Sequence, residues 1–202
     1  MIGLENVPDE PVLFIGNHRS YFDILLTYSR CKRLTGYVAK KEMEKIPLLS
    51  TWMKYLYCLF LDRHDPKQGM KTILTAIDYI KRGISICIFP EGTRNSGEEL
   101  SLLPFKEGSF KIAEKTGCAI VPISLNNTAE MFEAHFPKIK RPTSSSSTAL
   151  RSTRRILTRR QESISPRILS RSSKRPFRKC RNRIEINGWK FVCLHPFYVL
   201  YS

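Results

Sequence analysis

The sequence predicts an α/β fold over residues 1–140, a sheet flanked by helices, followed by a disordered basic tail over residues 141–202. Three observations carry this expectation. Short β-prone runs alternate with helical patterns at the spacing of β–α–β units. One of those runs, Ile84 to Phe89, ends in a polar, Gly-containing loop, at the strand end where open α/β sheets bind ligands. The charge is also split, with 19 Lys+Arg against 16 Asp+Glu over residues 1–140 and 15 against 2 over residues 141–202. The net charge of +16 therefore belongs mainly to the tail.

A chain of 202 residues is long enough for one medium domain with a sizeable core. Its six cysteines (Cys31, Cys58, Cys87, Cys118, Cys180 and Cys193) are scattered, with no C-x-x-C and no His cluster. That pattern predicts neither a metal site nor a disulfide framework, and it fits a reducing cytoplasm. No signal peptide opens the sequence, and no uninterrupted apolar span reaches the ~18 residues of a membrane helix.

In chain order, Val12-Leu13-Phe14-Ile15-Gly16 reads as a buried strand. Ser20-x-x-Asp23 before Ile24-Leu25-Leu26 is a helix start, with Ser20 as N-cap and Asp23 in the first turn. His18 falls on the turn between them, where Asp23 faces back within hydrogen-bonding reach. A carboxylate on one ring nitrogen fixes the tautomer of an imidazole and stabilises its protonated form, which makes a general base. The plainer alternative is a capped helix with an ordinary turn histidine.

Thr35 to Ala39 is a second strand, ending in Lys40-Lys41. From Glu42 the pattern is helical, and Leu48, Leu49, Trp52, Met53, Leu56, Tyr57 and Phe60 make one apolar stripe over residues 46–61. It suits a helix packed on the core, or one facing acyl chains or a membrane surface. Met70, Ile73, Leu74, Ile77 and Ile80 form another amphipathic helix, closed by Lys81-Arg82 and Gly83. Ile84 to Phe89 is a buried strand leading into Pro90-Glu91-Gly92-Thr93-Arg94. There Gly92 allows close backbone approach, Thr93 offers a hydroxyl and Arg94 a planar fork of donors for phosphate. Residues 105–116 read as a third helix ending at Gly117. Cys118 to Leu125 is a strand whose Pro122 suggests an edge or an end.

Four blocks, Asn17-His18-x4-Asp23, Phe60-Leu61-Asp62-Arg63, Phe89-Pro90-Glu91-Gly92-Thr93-Arg94 and Val121-Pro122-Ile123, resemble in order and spacing those of glycerolipid acyltransferases. The resemblance is closest to the bacterial 1-acylglycerol-3-phosphate acyltransferases and covers residues 3–137. Ala39-Lys40-Lys41-Glu42-Met43, followed by Ile46-Pro47, is similar to the basic stretch between that family's first and second blocks. The resemblance implies a glycerolipid acyltransferase-like sheet and transfer of a fatty acyl group from acyl-CoA or acyl-carrier protein to the free hydroxyl of lysophosphatidate. It implies no cofactor beyond that co-substrate, and a peripheral place on the cytoplasmic side of the membrane, with no specific nucleic-acid partner.

The residues suit that chemistry. There is no Gly-x-Ser-x-Gly elbow and no cysteine in a catalytic setting, so direct attack by a substrate hydroxyl, with His18 as base and Asp23 as its orienter, fits best. The acceptor phosphate is expected to meet Arg63 and Arg94, then Lys40, with Gly92 and Thr93 in the same loop. Glu91, an anion, is expected to orient a base, a hydroxyl or an arginine. The alternative for Arg63 is an ion pair with Asp62 or Asp65.

Two departures from the family pattern stand out. Family members carry tens of residues before the first block, so the chain reads as truncated at its N-terminus. Beyond Arg141 the resemblance stops, and residues 143–183 are rich in Ser, Thr and Arg with no sustained periodicity. Codons exist for residues 141–155 that in a shifted frame give AHVIIEYGTPIYPK, a β-prone run with the Gly-x-Pro-Ile ending of the family's last strand. The tail is therefore expected to be out of frame. The competing readings are an inactive fragment, or a basic protein binding nucleic acid or anionic lipid through residues 141–183.

Overall fold

The computed structural model describes residue 4, residues 7–97 and 101–140, and four further strands, Ala149–Leu150, Arg183–Ile186, Trp189–Leu194 and Phe197–Tyr201. Of the tail over residues 141–202, expected to be disordered and out of frame, only these four strands lie within the described residues. The last three strands pair antiparallel in the order Arg183–Ile186, Trp189–Leu194, Phe197–Tyr201.

The main sheet is built from β1 (Val12–Gly16), β2 (Thr35–Lys40), β3 (Leu59–Leu61), β4 (Ser85–Ile88), β5 (Ala119–Ser124) and β6 (Ala149–Leu150), in the order β3-β2-β4-β1-β5-β6. The first five run parallel, and β6 is antiparallel to β5. β1 lies between β4 and β5, so the loops leaving β1 and β4 emerge side by side.

Strand periodicity sorts the core into two faces. Leu13, Ile15, Ile86, Ile88 and Ile120 point to one side, against Ala76 and Ile80 of α3 (Pro66–Lys81) and Ile112 and Ala113 of α4 (Lys111–Thr116). Val12, Phe14, Tyr37, Cys87, Phe89, Val121 and Ile123 point to the other, where Ile24 and Tyr28 of α1 (Phe22–Tyr28) cover them. In α3, Pro66 opens the first turn and Asp65 caps it, accepting from Lys67 N at 2.9 Å and Gln68 N at 3.2 Å. A cap is worth ~1 kcal/mol and a fully buried aliphatic side chain ~1.5–3 kcal/mol, so packing of the α3 stripe outweighs its cap.

Two expectations change. The stripe over residues 46–61 is not one helix: α2 spans Leu49–Tyr55, Tyr57 takes a positive φ of 56°, and Leu59–Leu61 pairs with β2. The Tyr57 carbonyl lies where a Cβ on Gly36 would fall, so the bend is packed against a strand that carries no side chain there. The helix expected over residues 105–116 is shorter, a 3-10 turn at Glu107–Ser109 followed by α4. Pro122 pairs with Ile15 of β1, while β6 pairs only with Ile123 and Ser124. Among the described residues no helix is long and apolar enough to cross a membrane.

Candidate active site

The end of β1 is fixed before any catalytic group is placed. The Asn17 side chain donates to Leu125 O and accepts from Leu125 N, both at 2.8 Å, joining the ends of β1 and β5. His18 follows immediately, and its carbonyl accepts from Asn95 N at 2.7 Å. The N-cap position of α1 falls to Tyr21, one residue after the expected Ser20, yet Ser20 Oγ accepts from Phe22 N, the first amide of the helix, at 3.0 Å. The fully buried Asp23 reaches back in return, and its Oδ2 accepts from Arg19 N at 2.6 Å and Ser20 N at 2.8 Å.

The same Oδ2 lies 2.8 Å from His18 Nδ1. With two backbone donors already holding the oxygen, the imidazole serves as a third donor through Nδ1–H. That tautomer leaves Nε2 as the basic nitrogen, and it meets no partner among the described residues. Asp23 Oδ1 also lacks a partner. The imidazole packs face to face on Phe89, centroids 4.4 Å apart and planes inclined by 12°.

Glu91 is buried and works through main chain. Its Oε1 accepts from His18 N at 3.0 Å and its Oε2 from Leu103 N at 2.9 Å. Burial pushes its carboxyl above the ordinary glutamate value, against the opposing pull of the Leu103 and His18 N–H groups. Gly92 has φ +72°, so glycine is favoured there by the backbone, while a Cβ would meet only the flexible end of Lys106, Cε at 3.2 Å.

A cavity of about 220 Å³ opens beside Phe89. Its walls include Leu61, Met70, Ile73, Ile88 and Phe89, and its cations are Arg63, Lys106 and Lys111, with no carboxylate in the lining. Arg63 has neither of the expected acidic partners: Asp62 pairs with Lys41 at 3.0 Å, and Asp65 caps α3. Gly92 also lines the cavity. Lys40 stands exposed at the end of β2 and Thr93 exposed in its loop, both outside the lining.

Arg94 is placed elsewhere. Its guanidinium lies 3.8 Å from the centroid of the Tyr21 ring, with Nη2 3.1 Å from Tyr21 Oη and Nη1 3.4 Å from Glu133 Oε1. The two arginines thus do not share one hollow: Arg63 lines the cavity, and Arg94 sits on Tyr21 of the His18 turn. Lys106 and Lys111 escaped sequence reasoning; the only signal was a Lys ahead of a Gly after the third block. Burial raises the Cys31, Cys58 and Cys118 thiols, and Cys87 well above its ordinary value, so these four are held protonated and are poor nucleophiles.

Comparison with known proteins shows the family. The family model described as Acyltransferase matches residues 1–126. The chain is 35% identical over 131 residues to the chloroplastic 1-acyl-sn-glycerol-3-phosphate acyltransferase LPAT1 of Arabidopsis thaliana, covering 64% of this chain and 36% of that protein. It is 34% identical over 131 residues to the 1-acyl-sn-glycerol-3-phosphate acyltransferase of Borreliella burgdorferi, covering 64% and 52%. The crystal structure of the 1-acyl-sn-glycerophosphate (LPA) acyltransferase PlsC from Thermotoga maritima superposes with a TM-score of 0.56 at 33% identity, over 64% of this chain and 51% of that one. The chain spans about a third to a half of the length of these relatives. With its first 126 residues matched and its imidazole–carboxylate pair at the strand end, this chain belongs to the Acyltransferase family.

Proposed function

We propose that the chain carries the acyl-transfer centre of a 1-acyl-sn-glycerol-3-phosphate acyltransferase, forming phosphatidate from lysophosphatidate and an acyl thioester. The observation that carries the reading is the His18 Nδ1–Asp23 Oδ2 contact of 2.8 Å, which leaves Nε2 open. The free hydroxyl of the acceptor gives its proton to Nε2 as its oxygen attacks the thioester carbonyl carbon. Collapse of the tetrahedral intermediate breaks the C–S bond, and the imidazolium returns the proton to the departing thiolate. Ester and free thiol form one for one, and Asp23 steadies the imidazolium between the two transfers.

The cavity beside Phe89 suits an anionic amphiphile. Its apolar wall meets methylene groups, and Arg63 and Lys106, with Lys111, meet the phosphate. The donor is acyl-CoA or acyl-carrier protein. A peripheral seat on the cytoplasmic side of the membrane is supported by the lipid nature of the acceptor. The exposed Ile46, Leu48, Trp52 and Tyr55 beside Lys45 and Lys54 support it as well.

The test is incubation of the purified chain with lysophosphatidate and either donor, following phosphatidate and free thiol together. Equimolar appearance of both, dependent on the acceptor, is the expected result. Thiol release that ignores lysophosphatidate, with no phosphatidate formed, contradicts the reading.

A further inference from the structure

We infer that Glu133, which lies beyond the residues matched by the family model, is a positioning residue that ties Arg94 to the turn carrying the catalytic base. The inference rests on the acyl-transfer reading and adds to it a residue from a separate part of the chain. Glu133 stands in a short 3-10 turn, Glu133–His135. Its Oε2 accepts from Ser20 Oγ and its Oε1 from Tyr21 N, each at 2.7 Å. Oε1 also faces Arg94 Nη1 at 3.4 Å, and the carboxylate side chain is only 23% exposed.

These contacts form an unbroken series. Glu133 holds Ser20 and Tyr21 from one side, and Asp23 holds Arg19 N and Ser20 N from the other while gripping His18. Tyr21 in turn supports the Arg94 guanidinium on the face of its ring. Two N–H donors of Arg94 are engaged, leaving three of the five on a guanidinium for an anion. A carboxylate shared by the turn and the guanidinium sets the separation between Arg94 and His18. Restrained in this way, Arg94 fixes the Tyr21 side of the turn, and with it the reach from Nε2 to the phosphate held by Arg63 and Lys106, which is what proximity requires of an acceptor.

The charge matters beyond the shape. Glu133→Gln keeps the side-chain volume and one acceptor oxygen. It puts an NH₂ where a second acceptor stood and removes the counter-ion of Arg94. Its expected effect is a fall in kcat/KM for lysophosphatidate of about tenfold, as loss of a charge-assisted contact implies. Because Glu133 acts through Arg94, the double variant Glu133→Gln/Arg94→Gln should be little worse than Arg94→Gln alone.

The deciding experiment runs that double-mutant cycle beside labelling of Arg94 with phenylglyoxal in the full chain, read by peptide mass spectrometry. The expected result is a non-additive cycle, with Arg94 labelled several-fold faster in Glu133→Gln at a temperature where circular dichroism shows both proteins fully folded. An additive cycle, a Glu133→Gln variant with wild-type kcat/KM, or an unchanged labelling rate each overturns the inference. If wild type itself makes no phosphatidate, the acyl-transfer reading fails, and the labelling ratio still decides whether Glu133 restrains Arg94.

Discussion

The imidazole of His18 and the ring of Phe89 lie nearly parallel, 4.4 Å between centroids, although they stand on separate loops at the ends of β1 and β4. Phe89 also walls the cavity that holds Arg63 and Lys106. Phe89 thus connects the two parts of the site: its ring backs the base, and the residue lines the proposed acceptor pocket.

Phe89→Leu tests that coupling. The exchange leaves a smaller apolar side chain at a buried position, at a cost of roughly 1–2 kcal/mol of stability. The lost ring–ring contact is worth ~0.5–1.5 kcal/mol, so kcat should fall by roughly two- to tenfold as the imidazole loses its backing. Melting temperature and single-turnover rate, measured on the same sample, separate the two effects. An unchanged rate would mean that Asp23 alone orients the ring.

Asp23→Asn gives a different result. One oxygen, Oδ2, takes all three donors, while Oδ1 has no partner. An asparagine can therefore keep its oxygen in the shared position and leave the His18 tautomer intact. What it removes is the charge that stabilises the imidazolium. A drop in kcat of ~10²-fold or more, with acceptor KM unchanged, is expected on that basis. Stopped-flow rates at saturating lysophosphatidate provide the check, and a loss expressed in KM alone would argue against a role in the proton transfer.

Glu91→Gln addresses pH and stability together. The folded-state pKa of Glu91 is raised by burial, so the native state holds the proton more tightly than the unfolded chain. Native stability contributed by this group should fall as pH rises from the ordinary glutamate range through that raised value. The glutamine variant should lack this slope. It should also be less stable by ~1–3 kcal/mol, because a single amide oxygen cannot accept from both His18 N and Leu103 N. Urea midpoints taken across acidic to neutral pH for both proteins would show it, and parallel curves would count against the shift.

Arg63→Gln and Lys106→Gln should each raise acceptor KM about fivefold, with kcat held, a figure discounted for the exposure of both side chains. Arg94→Lys should likewise act mainly on acceptor KM, because the planar fork and its seat on Tyr21 are lost while the charge is kept. Steady-state kinetics at two ionic strengths check all three, since screening weakens exposed charge contacts. A change confined to kcat would place these cations outside acceptor binding.

The parts legible from sequence are those written within one or two turns of chain. β1, α3 and the His18–Asp23 pair follow from local periodicity and from a spacing of five residues. β3 was not legible: Leu56, Tyr57 and Phe60 continue the helical spacing by coincidence, and the left-handed Tyr57 gives no glycine signal. Glu133 reaches Ser20 across 113 positions, and Lys106 comes to the cavity through a loop, so neither has a local signature. The separation of Arg63 from Arg94 likewise depends on which side of Phe89 each loop leaves, which is set by strand order and packing.

The proposed chemistry stands on His18 as the base. Its most direct test is single-turnover phosphatidate formation by His18→Ala against wild type, with lysophosphatidate binding measured separately. A rate lower by ~10²–10⁴-fold, with acceptor affinity essentially kept, is the expected result. A His18→Ala rate within a few-fold of wild type would contradict it.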